Sequence, residues 1–461
     1  MKRKFKMYIK KIFILTLLII SKSGYSQQKK WTLEECVNYA IQHNISIKQT
    51  NLDAETTNVS RKDAIGNFLP TVNANASHSW NIGLNQNITT GLLENQTTQF
   101  TSAGLNVNID IYKGLQNQNQ LRRANIAKIA SQYQVTKMQE DVSLNVVNAY
   151  LQILFNKENL KVQQEQLVYD TKQLERTTQL VEAGSLPKGD LLDSKATIAN
   201  DNFKVVNAEN TLLISKISLA QLLQINDYQN FDIADEAIAT ENSSILFQEP
   251  KAIFEKAKET RTELKIAQTN VDLAKKDISI ARGAYQPSLT GFYSFSTRAS
   301  NAPGVALDSF GMPYTTGPKP LFTQFSDNKG QNFGVQLTVP IFNGFATRNN
   351  VSKSKIAFEK SKLSLEQQEF NLEKTVYTAY TDTKGAQKSY EAAVSSFEAR
   401  KKAADYAKER YEVGLMNVFD YNQAQTMYVN SQSEVLRTKY DYIFRTKILE
   451  FYFGIPLVNK K

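Results

Sequence analysis

Gly334-Val335-Gln336-Leu337-Thr338-Val339-Pro340-Ile341-Phe342-Asn343-Gly344 has an earlier counterpart in the same chain, Gly104-Leu105-Asn106-Val107-Asn108-Ile109-Asp110-Ile111-Tyr112-Lys113-Gly114, at an offset of 230. In both, apolar residues alternate with mainly polar ones, the period of a strand with one apolar face. A long run without proline follows each. Thr347–Val413 contains one glycine, Gly385, and Leu115–Ala183 contains none. One interior glycine costs a helix about 1 kcal/mol. Each run therefore reads as a single helix of about 100 Å. In the second run apolar residues recur every seven positions, the signature of a coiled coil. One file is Phe358, Leu365, Leu372, Ala379, Ala386 and Ala393. A second is Ile356, Leu363, Phe370 and Tyr377, and a third is Tyr390, Phe397, Ala404 and Tyr411. Several files on one helix imply neighbours on two sides.

The duplication extends in both directions. Glu182-Ala183-Gly184 matches Glu412-Val413-Gly414, and Asp190 matches Asp420, at the same offset of 230. Gly66-Asn67-Phe68-Leu69-Pro70 matches Gly283-Ala284-Tyr285-Gln286-Pro287 at the smaller offset of 217, so the second copy carries an insertion between these blocks. The chain divides into a leader at 1–26, a first repeat at 27–248 and a second at 249–461.

The leader has a basic start, Lys2 to Lys11, a short apolar core, Ile12 to Ile20, and small residues near Ser26. This is the pattern of a secretory signal peptide. The full chain carries a formal charge of +10, and residues 1–26 hold seven Lys/Arg and no acid, which leaves the mature chain near +3. That removes most of the electrostatic case for nucleic acid as a partner. The single cysteine, Cys36, rules out an internal disulfide and reads as a buried small side chain.

In the first repeat, Trp31–Ile65 reads as a helix opened by Thr32 with Glu35 three residues on, a capping box. Two strands follow, Val72 to Leu84 and Ala103 to Ile111. Then come the long helix, a tip at Gly184–Gly189 and a returning helix from Asp190 to Gln224. Asn226–Gln248 reads as irregular. The second repeat gives a helix over Lys251–Arg282, strands at Leu289–Phe295 and Phe333–Ile341 separated by a long proline-containing loop, and the long helix. A tip at Gly414–Phe419 and a helix over Asp420–Phe453 complete it. No run of eighteen apolar residues occurs, so no transmembrane helix is expected.

Catalytic patterns are absent: there is no HExxH and no GxSxG. Gly184–Gly189 has phosphate-loop spacing, but Asp190 stands where that loop needs lysine. His43 and His78 lie far apart without cysteines nearby, and read as ordinary surface or strand residues. No enzyme, cofactor or metal site is expected. Single-chain outer-membrane barrels start at eight strands, and unpaired strand edges in lipid cost several kcal/mol per backbone group. Four strands per chain therefore reach lipid only through oligomerisation, and three chains supply twelve. The same alternation also fits a soluble β-sandwich on a helical stalk, a periplasmic coiled-coil scaffold.

The order helix, Gly-x-x-x-Pro, strand pair, long helix, Gly-tip-Asp, helix, given twice, resembles the TolC family of outer-membrane efflux proteins over essentially the whole mature chain. The most specific pieces are Gly66–Pro70 with Gly283–Pro287, Val339–Gly344, and the two Gly…Asp tips. The resemblance implies a mainly α fold with a transmembrane β portion. A homotrimeric 12-stranded β-barrel in outer-membrane lipid would continue into a long periplasmic α-helical barrel. It also implies a passive, non-enzymatic duct that docks on a periplasmic adaptor (membrane fusion protein) and an inner-membrane pump of the RND or ABC type. Drug efflux and polypeptide secretion are both compatible. At the periplasmic gate the resemblance carries over an aspartate ring at Asp420, with Gln423 where a second aspartate stands in relatives. It also carries over Asp190 and Asp193 in the first copy, and a Tyr411–Asp190 contact between neighbouring chains. Met416 occupies the position of the arginine that completes that latch. Gly184 and Gly414 match the adaptor-contact tips. Asp190 and Asp420 also suit helix capping, and the two glycines suit tight turns.

Overall fold

The computed structural model describes residues 30–86, 92–235 and 244–457; the 1–26 leader lies outside them. The first copy runs β1 (Lys30–Trp31), α1 (Leu33–His43), α2 (Ile45–Gly66), β2 (Thr71–Gln86) and β3 (Leu93–Lys113). It continues as α3 (Gln116–Glu182), α4 (Lys188–Leu223) and β4 (Asp232–Ile233). After a 3-10 turn at Ser244–Phe247 the second copy runs α5 (Pro250–Thr260), α6 (Thr262–Gly283), β5 (Ser288–Ser300), β6 (Gly304–Leu307) and β7 (Pro313–Thr316). Then follow α7 (Leu321–Asp327), β8 (Gly330–Thr338), α8 (Ala346–Glu412) and α9 (Val418–Phe453). Corresponding helices have equal lengths: 11 residues for α1 and α5, 22 for α2 and α6, 67 for α3 and α8, 36 for α4 and α9.

The first helix of each repeat is broken, contrary to the single helices expected from sequence. Asn44 and Arg261, at equivalent positions of the two copies, leave helical geometry with ψ 132° and 129°. Asn44 donates from Nδ2 to the Leu222 carbonyl (3.1 Å) and accepts at Oδ1 from the Ser46 amide (2.9 Å). The side chain thus holds the break open and starts the next helix. At the other break the Arg261 guanidinium, 4% exposed, donates to Glu263 (2.9 Å) and Glu140 (3.0 Å) and lies 4.0 Å above the Phe451 ring. The Thr32–Glu35 capping box is present, and Cys36 is fully buried.

Other expectations are corrected as well. Asn226–Gln248 contains β4, which pairs in parallel with β1, and the 3-10 turn. The expected loop of the second copy holds the β6–β7 hairpin and α7. Strand β3 starts at Leu93, well before its alternation suggested, and β8 stops at Thr338, because Pro340 has no N–H to give to a ladder. The tip helices start at Lys188 and Val418, so Asp190 and Asp420 sit in the first turn rather than at the cap.

By internal contact the chain forms two units. One holds the described residues of Met1–Leu52, Tyr133–Leu264 and Gln367–Lys461; the other holds Asp53–Gln132 and Lys265–Glu366. The second unit carries an antiparallel sheet in the order β2-β3-β5-β8, so β2 and β8 are its edges. Residues directly opposite in such a sheet share a face. Val72, Val107, Tyr293 and Phe333 form one row across all four strands; Asn73, Asn106, Ser294 and Asn332 form the next. The polar row is stitched by Ser294 Oγ donating to Asn106 (2.9 Å), and Asn106 also donates to Asn75 (3.1 Å). On the apolar face Val72, Trp80, Ile82, Phe333, Val335 and Leu337 are exposed. A bulge between Asp110 and Tyr112 leaves Ile111 outside the ladder and puts Tyr112 opposite Leu289, so the expected alternation through Ile111 is interrupted. The corner into each long helix takes two left-handed residues, Gly114-Leu115 and Gly344-Phe345.

The first unit contains the main core. Cys36, Val37 and Ala40 of α1 meet Val146, Val147, Tyr150 and Leu154 of α3. Leu219 and Leu223 of α4 and Tyr440 and Ile443 of α9 close it. Full burial of such a side chain contributes about 1.5–3 kcal/mol. Along α8 the first heptad file turns inward: Leu372, Ala386 and Ala393 are buried. The second file, Ile356, Leu363, Phe370 and Tyr377, stays 41–65% exposed.

Candidate functional site

The two tips share one geometry. Gly184 (φ +75°) and Gly414 (φ +77°) are left-handed, a region glycine enters without the Cβ penalty. Ser185 N–H donates to the Leu180 carbonyl (2.8 Å) and Gly184 N–H to Val181 (3.0 Å). Leu415 and Gly414 repeat this on Arg410 (2.8 Å) and Tyr411 (3.1 Å). These are Schellman closures, which satisfy the last carbonyls of the long helices. Around the second tip Val413, Leu415 and Phe419 are 68–70% exposed.

The returning helices begin differently. Asn417 caps α9: its Oδ1 accepts the Asp420 amide (2.8 Å), and its Nδ2 donates to Asp420 Oδ2 (2.9 Å). Asp420 is thereby held, exposed, at the positive end of the helix dipole. In α4 Pro187 is the cap and makes no side-chain bond. Asp190 lies half-buried in the first turn, its carbonyl accepting from Ser194 Oγ (2.8 Å), and Asp193 is exposed one turn on.

Tyr411 stacks on Tyr421, ring centroids 4.8 Å apart and 9° between planes. The Tyr421 hydroxyl bonds that of Tyr169. Burial, then that bond, pushes the Tyr421 phenol far above its usual range. Within one chain no hydrogen bond joins Tyr411 to Asp190 among the described residues. His43 stacks on Tyr39 (3.9 Å), and His78 bonds Thr101 Oγ1 (2.8 Å).

About three turns before the first tip, α3, α4 and α9 enclose a polar cluster that the sequence reading missed. Gln166 Nε2 donates to Asp170 Oδ2 (2.5 Å), and Gln425 Nε2 donates to Gln166 Oε1 (3.1 Å). Asp201 Oδ1 accepts from Lys204 Nζ (3.0 Å). Asp170 and Asp201 line the same small cavity between these helices. Asp170 is 7% and Asp201 3% exposed, beside a cavity of about 90 Å³ lined by Asn422, Gln425 and Asn430. Burial, followed by the bond to Asp201, pushes the Asp170 carboxyl up to about 7. A signal for this cluster was present in α4. Ser194, Asp201, Ala208 and Ser215 are all buried at seven-residue spacing, so Asp201 occupies a core position.

Comparison with known proteins gives a consistent picture. The sequence profile described as outer membrane efflux protein matches residues 36–223 and 253–453. Outer membrane protein TolC of Vibrio cholerae is 24% identical over 318 residues, 68% of this chain and 67% of that protein. Outer membrane protein TolC of Escherichia coli is 23% identical over 438 residues, 93% of this chain and 84% of that protein. A crystal structure of CusC superposes with a TM-score of 0.75 at 17% identity, over 91% of each chain.

Proposed function

This chain belongs to the outer membrane efflux protein family, and from that premise we propose that it is the outer-membrane channel of a tripartite export system. It is a passive duct that receives cargo from a periplasmic adaptor and an inner-membrane pump of the RND or ABC kind. The observation that carries this reading is the two-faced sheet: exposed apolar rows, polar rows behind them, and two edge strands, β2 and β8. A sheet with an apolar outer face and a polar inner face suits a lipid-embedded barrel around water. Three copies would supply twelve strands and leave no edge in lipid. The exposed file Ile356, Leu363, Phe370 and Tyr377 is then the seam toward a neighbouring copy, consistent with a homotrimer whose helical portion lies in the periplasm.

The tips form the periplasmic end in this reading. Gly184 and Gly414, with the exposed Val413, Leu415 and Phe419, offer backbone and apolar surface for the adaptor. Asp190, Asp193, Tyr411 and Asp420 form the gate. Three copies of Asp420 at a narrow entrance attract cations and repel anions. The test is ion selectivity of single channels in planar bilayers. Asp420→Ala is expected to weaken cation preference and block by multivalent cations. Unchanged selectivity would leave Asp420 only the role of holding the Asn417 cap in the first turn of α9.

A further inference from the structure

The Asp170–Asp201 cluster lies away from the tips and makes no part of the gate described above. Its charges do not balance when every group is ionised. From α3 comes Asp170, from α4 come Asp201 and Lys204, and from α9 come only the uncharged Asn422, Gln425, Thr426 and Asn430. The paired phenols of Tyr169 and Tyr421 lie close enough for Tyr421 to feel the Asp170 charge. Two carboxylates therefore face one ammonium in a buried site. The second observation is an orphan: Asp201 Oδ2 is buried and has no donor. Asp170 lines the same cavity, equally shut off from solvent, and its carboxyl donates only when protonated.

We propose that Asp170 and Asp201 hold one proton between them, and that this shared proton is a pH-dependent latch between the long helix α3 and the returning helix α4. With the proton in place, Asp170 donates to Asp201, Lys204 balances the remaining charge, and Gln166 and Gln425 continue the chain of bonds to α9. When the proton leaves to solvent, two nearly buried carboxylates oppose each other and one charge is unbalanced. The junction of α4 with α3 then loosens. A metal cation is a poorer occupant, because the Lys204 ammonium already holds Asp201 and the Gln166 amide already donates to Asp170. Burial and the paired acid set the transition near neutrality. Asp170 stands about three turns from the end of α3, about 18 Å along the axis, so loosening there acts on the segment that leads into the tip.

The test uses the full-length protein in detergent and does not depend on the duct reading. Infrared difference spectra taken about one pH unit below and above the transition are expected to show a protonated-carboxyl C=O band that titrates near about 7. The band is expected to vanish in both Asp170→Asn and Asp201→Asn. Hydrogen exchange of α4 amides, corrected for intrinsic rates, is expected to lose about tenfold or more in protection across the same window in wild type. Protection is expected to stay at its acid-side level in Asp170→Asn. A wild-type spectrum without a titrating carboxyl band overturns the proposal, and so does α4 protection that is flat with pH; both are read on wild type even if a variant fails to fold. A titration abolished by calcium also overturns it, since the pair would then be a cation site.

Discussion

Val335 and Gln336 are neighbours on β8 with side chains on opposite faces, and both are exposed in a single chain. A sheet in water would treat arginine at either position alike, since exposed substitutions usually stay within about 0.5 kcal/mol. A sheet with its apolar face in lipid separates them. Val335 pairs with Gly291 and lies two residues from the Tyr293–Phe333 row on the same face, inside the apolar band. An arginine on the lipid face costs about 2–4 kcal/mol at the bilayer midplane. Three copies raise that to about 6–12 kcal/mol per assembly. Gln336→Arg faces the polar interior and is expected to assemble like wild type. The assay is folding into lipid vesicles against urea, followed by the heat-modifiable band on gels. Val335→Arg is expected to lose most of the assembled form. Equal assembly of the two variants would refute the lipid-facing assignment.

Phe370→Glu puts a charge on the exposed heptad file of α8 and is expected to leave helix content intact by circular dichroism while reducing the assembled fraction; unchanged assembly would remove the seam from that face. Tyr411→Phe keeps the stack on Tyr421 but removes the hydroxyl proposed to reach a neighbour's Asp190. Three such bonds to a charged group amount to about 4–9 kcal/mol at most. Single-channel conductance is expected to rise in Tyr411→Phe and in Asp190→Asn, and the double variant is expected to add little; singles that simply sum would separate the two residues. Asp170 contributes a pH dependence of stability with a definite sign. The folded chain binds its proton more tightly than the unfolded chain, so the contribution is complete below about 3.8 and is lost as pH rises to about 7. Thermal melts across that window are expected to slope downward in wild type and to flatten in Asp170→Asn.

Much of this architecture is legible in the residues because it rests on local periodicity and on duplication. The absence of proline marks both 67-residue helices, and Gly184 and Gly414 end them through the left-handed geometry that glycine allows. The helix breaks at Asn44 and Arg261 are not legible that way. Asn44 is held by a carbonyl 178 positions along the chain, and Arg261 by Glu140 and the Phe451 ring, partners that no local window contains. The bulge at Ile111 is invisible to alternation, which assumes an unbroken register. The excursion between β5 and β8 looked like a loop because its prolines, Pro303, Pro313, Pro318 and Pro320, punctuate very short elements. At the candidate gate, the sequence placed Asp420 and Asp190 beside the tips, while Asn417 as the actual cap was missed because only the backbone start of α9 reveals it.

Three of these chains are proposed to close one barrel. Native mass spectrometry of the protein released from outer membranes in detergent tests it most directly. A single dominant species with the mass of three mature chains is expected; a stable monomer or dimer as the dominant species would mean that three chains do not close a barrel.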